Sequence, residues 1–330
     1  MRAQVLTAFG GPENFRLSEV DKPKVEAGKV LIRVAATSVN PIDTKIRGGL
    51  PVGPALPAIL GADVAGIVEA VGNGVDSFAP GEAVYGCAGG VRGWGGALAE
   101  YMLVDARLLA PKPRSLTMHQ AAALPLVALT AWNALERCDL SHGQNILIHG
   151  GIGGVGHVAV QIAKAIGATI STTVRDDRAA VLAWELGARN TINYREEAVQ
   201  DYVARLTSGR GFDVVFDTIG GENLPKSFDA VASGGQIATT NARTTQDLSV
   251  LHAKGLSLHV VFTLLPMLTG EGLERQGEIL GEITDLVEGG NLKPLIDPAR
   301  FTLETAPDAH RLLESGKATG KVVIDIDPSL

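Results

Sequence analysis

The chain has 330 residues, enough for two domains and a sizeable core. Its 29 Lys and Arg against 36 Asp and Glu leave a net charge of −7 with no basic block, which argues against nucleic acid as a partner. Only Cys87 and Cys138 are present, so neither a disulfide framework nor a four-cysteine zinc loop can be built, and a reducing cytoplasm is expected.

The start, "MRAQVLTAFGG", has no charged leader followed by an apolar core, and the longest apolar stretch, "AAALPLVALTAW", is too short to span a bilayer. No membrane role is expected. From 1 to about 115 the pattern predicts short strands, "AQVLTAF", "KVLIRVAAT", "DVAGIVEAVG" and "EAVYGCA", split by the turns "GGPE", "PVGPALP" and "APGE". The loop "YGCAGGVRGWGGALAEYM", 85–102, carries six glycines and is mobile or tightly turned. Its Trp94 either stacks on a flat substrate ring or packs against the base of the loop. At Thr117, followed three residues on by Gln120, a capping box opens a long Ala/Leu-rich run that Pro125 should kink or divide.

After 144, apolar strands alternate with amphipathic helices. The strands are "NILIH", "TISTTV", "NTINY", "FDVVFDTI", "GQIATTN" and "LSLHVVF"; the helices lie near 154–166, 177–186, 196–207 and 222–232. This is the signature of βαβ units around a parallel sheet. Beyond about 265 come the helices "LERQGEILGEITDLVEGG" and "APDAHRLLESG" and the strand "KVVIDI". This tail cannot form a core alone, so it should return to the N-terminal β domain. The predicted division is therefore 1–122 with 266–330 against 123–265.

Between "NILIH" and its helix, five glycines fall in the seven positions 150–156, and Gly151, Gly153 and Gly156 satisfy G-x-G-x-x-G. The pattern alone is weak among 40 glycines, but here it follows a strand and opens a helix whose Val155, Val158, Ala159, Ile162, Ala163 and Ile166 recur at helical spacing. In such a turn the first glycine permits the bend, the second lets main chain approach a diphosphate, and the third allows close packing of helix on strand. The next strand ends in "TTVRDDR", where Asp176 and Asp177 suit a helix cap. Arg175 and Arg178 either receive the extra phosphate of NADPH or form a solvated cluster. This placement favours NADPH over NADH.

The pieces "NPIDTKIRGG" (40–49), "LGADVAGIVEAVG" (60–72), "HGGIGGVG" (149–156), "INYREE" (192–197) and "GKATGKVVI" (316–324), in this order, resemble the zinc-independent quinone oxidoreductases of the medium-chain dehydrogenase/reductase superfamily. The resemblance implies an α/β fold: a Rossmann parallel-sheet domain plus a discontinuous GroES-like β-barrel domain, with cofactor and substrate between them. It implies a homodimer through the edge strand "LSLHVVF". It places Ile152, Gly153, Gly154, Val155 and Gly156 at the diphosphate and Tyr194 beside the adenosine phosphate. It sets Asn40 near the nicotinamide, Thr130 at the cleft, and Thr240, Asn241, Thr263 and Leu264 along the nicotinamide half. Two departures stand out. Lys45 occupies the place where relatives often have a tyrosine, and Ala179 the place of a lysine for the 2′-phosphate.

Zinc-bearing relatives have G-H-E where this chain has "GAD"; Ala62 replaces the histidine, and no cysteine lies in "SVNPIDTK" or near 125. The three ligands of a catalytic zinc are absent. The seven histidines are scattered, and none forms H-E-x-x-H. Without a Lewis acid, hydride delivery suits a conjugated acceptor, because a quinone or α,β-unsaturated carbonyl spreads the negative charge that a simple ketone localises. Protein groups then chiefly orient the reactants. Asn40 is the candidate polar contact, with Lys45 or Tyr101 an electrostatic or proton-donating aid; alternatively Lys45 is solvated and Tyr101 packs on its strand. The expected activity is NADPH-dependent reduction of quinones or related conjugated carbonyls. The alternatives are an enoyl-thioester reductase, against which Lys45 and the acidic total weigh, and a non-catalytic NADPH-binding protein.

Overall fold

The computed structural model describes residues 1–330. The chain folds as two compact units, one formed by Met1–Leu129 with Leu264–Leu330 and the other by Thr130–Thr263. The first boundary falls within the helix Pro125–Arg137, seven residues later than the predicted 122. Pro125 stands at the start of that helix: the short helix Met118–Ala121 ends before it, since proline tolerates a first turn but not an interior one. The capping box is formed, with Gln120 N donating to Thr117 Oγ1 at 3.2 Å and Thr117 N to Gln120 Oε1 at 3.0 Å.

The discontinuous unit is built on β structure. A seven-stranded sheet is centred on Lys29–Val39, which pairs antiparallel with Asp63–Val71, Tyr101–Asp105 and the C-terminal strand Val322–Asp325. Alternate inward residues such as Val30, Ile32 and Val34 are fully enclosed, as period-two patterning requires. A second sheet of three strands holds Arg2–Leu6 between Phe15–Glu19 and Ala58–Ile59. The returning tail adds the helices Leu273–Glu288 and Ala306–Glu314. The helix Pro41–Arg47 is absent from the strand patterning; it opens with Pro41, and Asn40 N donates to Asp43 Oδ2 at 2.8 Å.

The continuous unit is a six-stranded parallel sheet in the order Asn190–Asn193, Thr169–Val174, Asn145–His149, Phe212–Asp217, Val231–Thr239, Ser257–Val260. Strand order reverses between Asn145–His149 and Phe212–Asp217, the doubly wound pattern whose crevice lies at the carboxyl ends of the strands. One face packs Leu147, Val215 and Ile237 against Tyr202, Leu224 and Phe228 of the covering helices. The strand after the fourth helix begins at Val231, earlier than the predicted "GQIATTN". No helix in the chain is long and apolar enough to cross a membrane.

Candidate cofactor and reaction site

The glycine-rich turn joins the strand Asn145–His149 to the helix Gly156–Ile166. Its bend is made one residue earlier than the motif suggests. Gly150, at φ +74°, takes the left-handed conformation, while Gly151 is needed for closeness: a Cβ there would lie 2.1 Å from Thr172 Oγ1 on the next strand. At Gly156 a Cβ would meet Gly150 O at 2.0 Å, so the helix can start directly against the turn only without a side chain. Gly153 N donates to Gly150 O at 2.9 Å, and the amides of Ile152, Gly154 and Val155 take no bond within the protein. These partly exposed N–H groups, at the positive end of a helix, form an anion cradle.

Around the turn the strand ends are fixed by hydroxyls. Thr218 Oγ1 donates to His149 O at 2.6 Å, and Gly150 N donates to Thr173 Oγ1 at 2.9 Å. Fully buried Asp217 accepts from Ile219 N, Gly220 N and Ser227 Oγ at 2.8–3.0 Å, setting the loop beyond its strand. Asn241 Nδ2 donates to Ile219 O and Thr240 Oγ1 to Thr218 O, each at 3.3 Å, so the two candidate residues tie neighbouring loops together. Thr130 and Thr263 also meet, hydroxyl to hydroxyl at 2.7 Å, both buried. Leu264 is 2 % exposed and begins the segment that returns to the other unit.

A cavity of about 960 Å³ opens at this edge, its wall including His149, Gly150, Thr173, Tyr194, Ile219 and Lys226. Tyr194 is 51 % exposed there, with the Arg195 guanidinium 5.8 Å from its ring centre. Arg175 and Arg178 do not line it. Arg175 Nε pairs with Asp176 Oδ2 at 3.3 Å and Arg178 is exposed. Asp176 caps the helix Asp177–Leu186, accepting from Ala179 N at 2.9 Å.

In the discontinuous unit, Asn40 sits inside a buried polar cluster. It is 0 % exposed; Nδ2 donates to Asp63 Oδ2 at 2.8 Å and Oδ1 accepts from Lys321 Nζ. Lys321 Nζ also lies 3.5 Å from Asp63 Oδ2, Ser38 Oγ donates to that oxygen at 2.5 Å, and Leu126 N donates to Oδ1 at 2.7 Å. Burial pushes the Lys321 ammonium below its usual range against the pull of Asp63 and Asp43. It lifts the Asp43 carboxyl to about 7, with the Asp63 charge adding to the rise. Asn40 is thus held by the cluster, with no face open to solvent. Asp43, Asp63 and Lys321 were not among the sequence candidates; the signal for the last two was a charged residue set in an apolar strand segment, "LGADVAGIV" and "KVVI".

The remaining candidates are on the same unit. Lys45 is exposed on Pro41–Arg47 and makes no ion pair. Tyr101 lies under the Lys22 ammonium, 3.7 Å from its ring centre, and Lys22 also bonds Glu69, so a surface cation–π contact accounts for it. The Trp94 indole is half-buried and donates to Met267 O at 2.8 Å, anchoring the glycine loop to the helix Leu265–Thr269. No group of three or more His, Cys, Asp and Glu side chains is arranged to hold a metal ion.

Comparison with known proteins matches residues 26–114 to the alcohol dehydrogenase GroES-like domain and residues 186–324 to a zinc-binding dehydrogenase family. A 2-methylene-furan-3-one reductase of Solanum lycopersicum is 35 % identical over 335 residues, 98 % of this chain and 79 % of that protein. An alcohol dehydrogenase superfamily protein from Novosphingobium aromaticivorans has a crystal structure 43 % identical in sequence, with a TM-score of 0.94 over 99 % of both chains. The Escherichia coli quinone oxidoreductase, solved in complex with NADPH, is 29 % identical, with a TM-score of 0.88 over 98 % of this chain and 100 % of its own. A parallel sheet with an open glycine cradle, a GroES-like unit and full-length relatives of this kind lead to one conclusion: the chain belongs to the quinone oxidoreductase group of the medium-chain dehydrogenase/reductase superfamily of oxidoreductases.

Proposed function

We propose that this protein reduces quinones and α,β-unsaturated carbonyls with NADPH and without a catalytic zinc. The observation that carries the reading is the turn at 150–156, where free amides and two glycines with no room for a Cβ fit a dinucleotide's diphosphate. The relative solved with NADPH and the enone-reducing relative from tomato support cofactor and substrate class. When bound, the nicotinamide supplies the hydride. The chain's part is to hold and orient.

The amides of Ile152, Gly154 and Val155 bind the diphosphate, and Tyr194 stands at the adenosine side. Arg175 and Arg178 take the 2′-phosphate, Arg175 exchanging its weak exposed pairing with Asp176 for the doubly charged anion. Thr130, Thr263, Thr240, Asn241 and Leu264 shape the nicotinamide half. Asn40, locked by Asp63 and Lys321, is a positioning residue for the helix Pro41–Arg47, which carries Lys45 as the exposed proton-donating group. Trp94 offers the face of its ring, its N–H being engaged with Met267. Absence of a metal-binding cluster and the Ala62 substitution support zinc independence. Two free, buried thiols suit a cytoplasmic setting, and the strand Ser257–Val260, at a sheet edge with Val260 46 % exposed, supports a homodimer through that edge.

The test is NADPH oxidation with a panel of quinones, small enones and enoyl-CoA. Turnover of the first two above the third is expected, with Arg175→Ala and Arg178→Ala together raising KM for NADPH about tenfold or more and leaving KM for NADH nearly unchanged. Preference for enoyl-CoA would make the protein an enoyl-thioester reductase. Tight NADPH binding with no acceptor reduced would make it a binding protein.

A further inference from the structure

The cavity at the carboxyl ends of the parallel strands contains a histidine that its surroundings leave unused. Along Asn145–His149, alternate side chains share a face, so His149 stands one step above Leu147, which belongs to the apolar core under the covering helices. An aliphatic side chain at that step would extend the core. Instead there is an imidazole, 4 % exposed, whose Nε2 is sealed from water without a hydrogen-bond partner, and no other side-chain bond is made by the ring. The peptide link that follows it, by contrast, is fixed at both ends, the His149 carbonyl by Thr218 Oγ1 and the Gly150 amide by Thr173 Oγ1. With no bond to the protein and a place in the cavity wall, the ring can be satisfied only by a partner that enters the cavity.

What comes is constrained by the cavity wall. Two cations, Lys226 and Arg195, stand against three carboxylates, Glu196, Glu197 and Glu222, around it, a set that gives no net pull on a phosphate. Tyr194 and Ile219 add flat and apolar surface. Burial, with the Lys226 charge acting in the same direction, holds the imidazole's pKa near 4 despite Asp217, so at neutral pH it is an uncharged partner with one donor and one acceptor. An uncharged heterocycle with ring nitrogens and an amino group matches this wall; a phosphate does not.

We propose that His149 is a binding residue for the cofactor, forming the floor of this cavity and hydrogen-bonding the purine base of the adenosine half. This rests on the reading of the protein as an NADPH enzyme and adds a recognition element outside the glycine turn. The bond satisfies an imidazole otherwise left unpaired, so its worth lies in the liganded state.

The experiment titrates the full chain with NADPH and with adenosine 2′,5′-bisphosphate, which carries the base without the nicotinamide, and follows the imidazole ¹⁵N resonances. The expected result is a shift of the His149 resonances with the bisphosphate and none with nicotinamide mononucleotide. His149→Phe should bind the bisphosphate about tenfold more weakly, and His149→Gln, which keeps a hydrogen-bonding end, should recover most of the loss. Unmoved resonances in a wild-type chain that binds NADPH, or equal affinities for the Phe variant and the wild type, overturn the role of His149 alone. So does an equal loss in both variants, which marks mere packing. A wild-type chain that binds neither nucleotide overturns the functional reading as well. The resonance measurement needs no variant, so poor folding of His149→Phe does not spare the proposal.

Discussion

A Cβ added at Gly156 has nowhere to go, because the atom it meets is main chain of Gly150 and no rotamer change can relieve it. Gly156→Ala is therefore expected to displace the helix start and weaken NADPH binding at least tenfold, read by fluorescence titration; unchanged affinity would mean the turn is not the cradle. The buried cluster makes a different demand. Lys321→Ala removes the cation beside Asp63 and leaves a carboxylate 0 % exposed without it, a loss on the order of 3–5 kcal/mol in urea unfolding. Asp63→Asn with Lys321→Met should recover most of that stability, since neither charge is then stranded; a double variant no better than the single would refute the pairing. The glycine turn was legible because its chemistry is local in sequence. The partnership of Asn40 with Lys321 was not, because 281 positions separate them and only the pairing of Val322–Asp325 with Lys29–Val39 brings them together.

Among the elements, periodicity located the six parallel strands and their covering helices closely, since each buries a continuous apolar face. The helix Pro41–Arg47 escaped that reading because it is short and is defined by its Asn40–Asp43 start, not by an apolar stripe. The bend at Gly150 instead of Gly151 was invisible for a related reason: the motif records which residues are small, while the left-handed φ is decided by how the strand exits. Trp94 illustrates a link between elements that no spacing encodes. Its indole ties the glycine loop to Leu265–Thr269, so Trp94→Phe should cost about 1 kcal/mol and speed amide exchange through residues 88–100. Exchange as slow as in the wild type would assign the indole no anchoring role.

For the molecule as a whole, three buried groups give stability opposing pH dependences over the same acid-to-neutral range. His149 and His310 have pKa values held down near 4 and 3, chiefly by burial. Each stays neutral in the folded chain while the unfolded chain takes up a proton, so stability is complete above about 6.5 and declines as pH falls. Near pH 4.5 the loss is about 2 kcal/mol for each group, and His310→Leu should shrink the fall in Tm between pH 7 and 4.5 by several degrees. Asp43 acts the other way. Its carboxyl is raised to about 7, so the folded chain keeps a proton that the unfolded chain loses, and stability declines as pH rises from about 4 to 7. Asp43→Asn should accordingly gain more Tm at pH 8 than at pH 5, and an equal gain at both would deny the carboxyl its buried, proton-holding state. The two-unit plan with a returning tail was expected from the alternation of strand and helix together with the isolated last strand. These opposing pH dependences were not, since they depend on burial that no local sequence reports.

Calorimetric titration of the intact chain with NADPH and NADH, repeated on Gly156→Ala, decides whether the turn at 150–156 holds a dinucleotide. One NADPH per chain with Kd on the order of micromolar or tighter, weaker binding of NADH, and loss of both in the variant are expected. Absence of heat with either nucleotide, or binding that survives Gly156→Ala unchanged, would overturn that assignment.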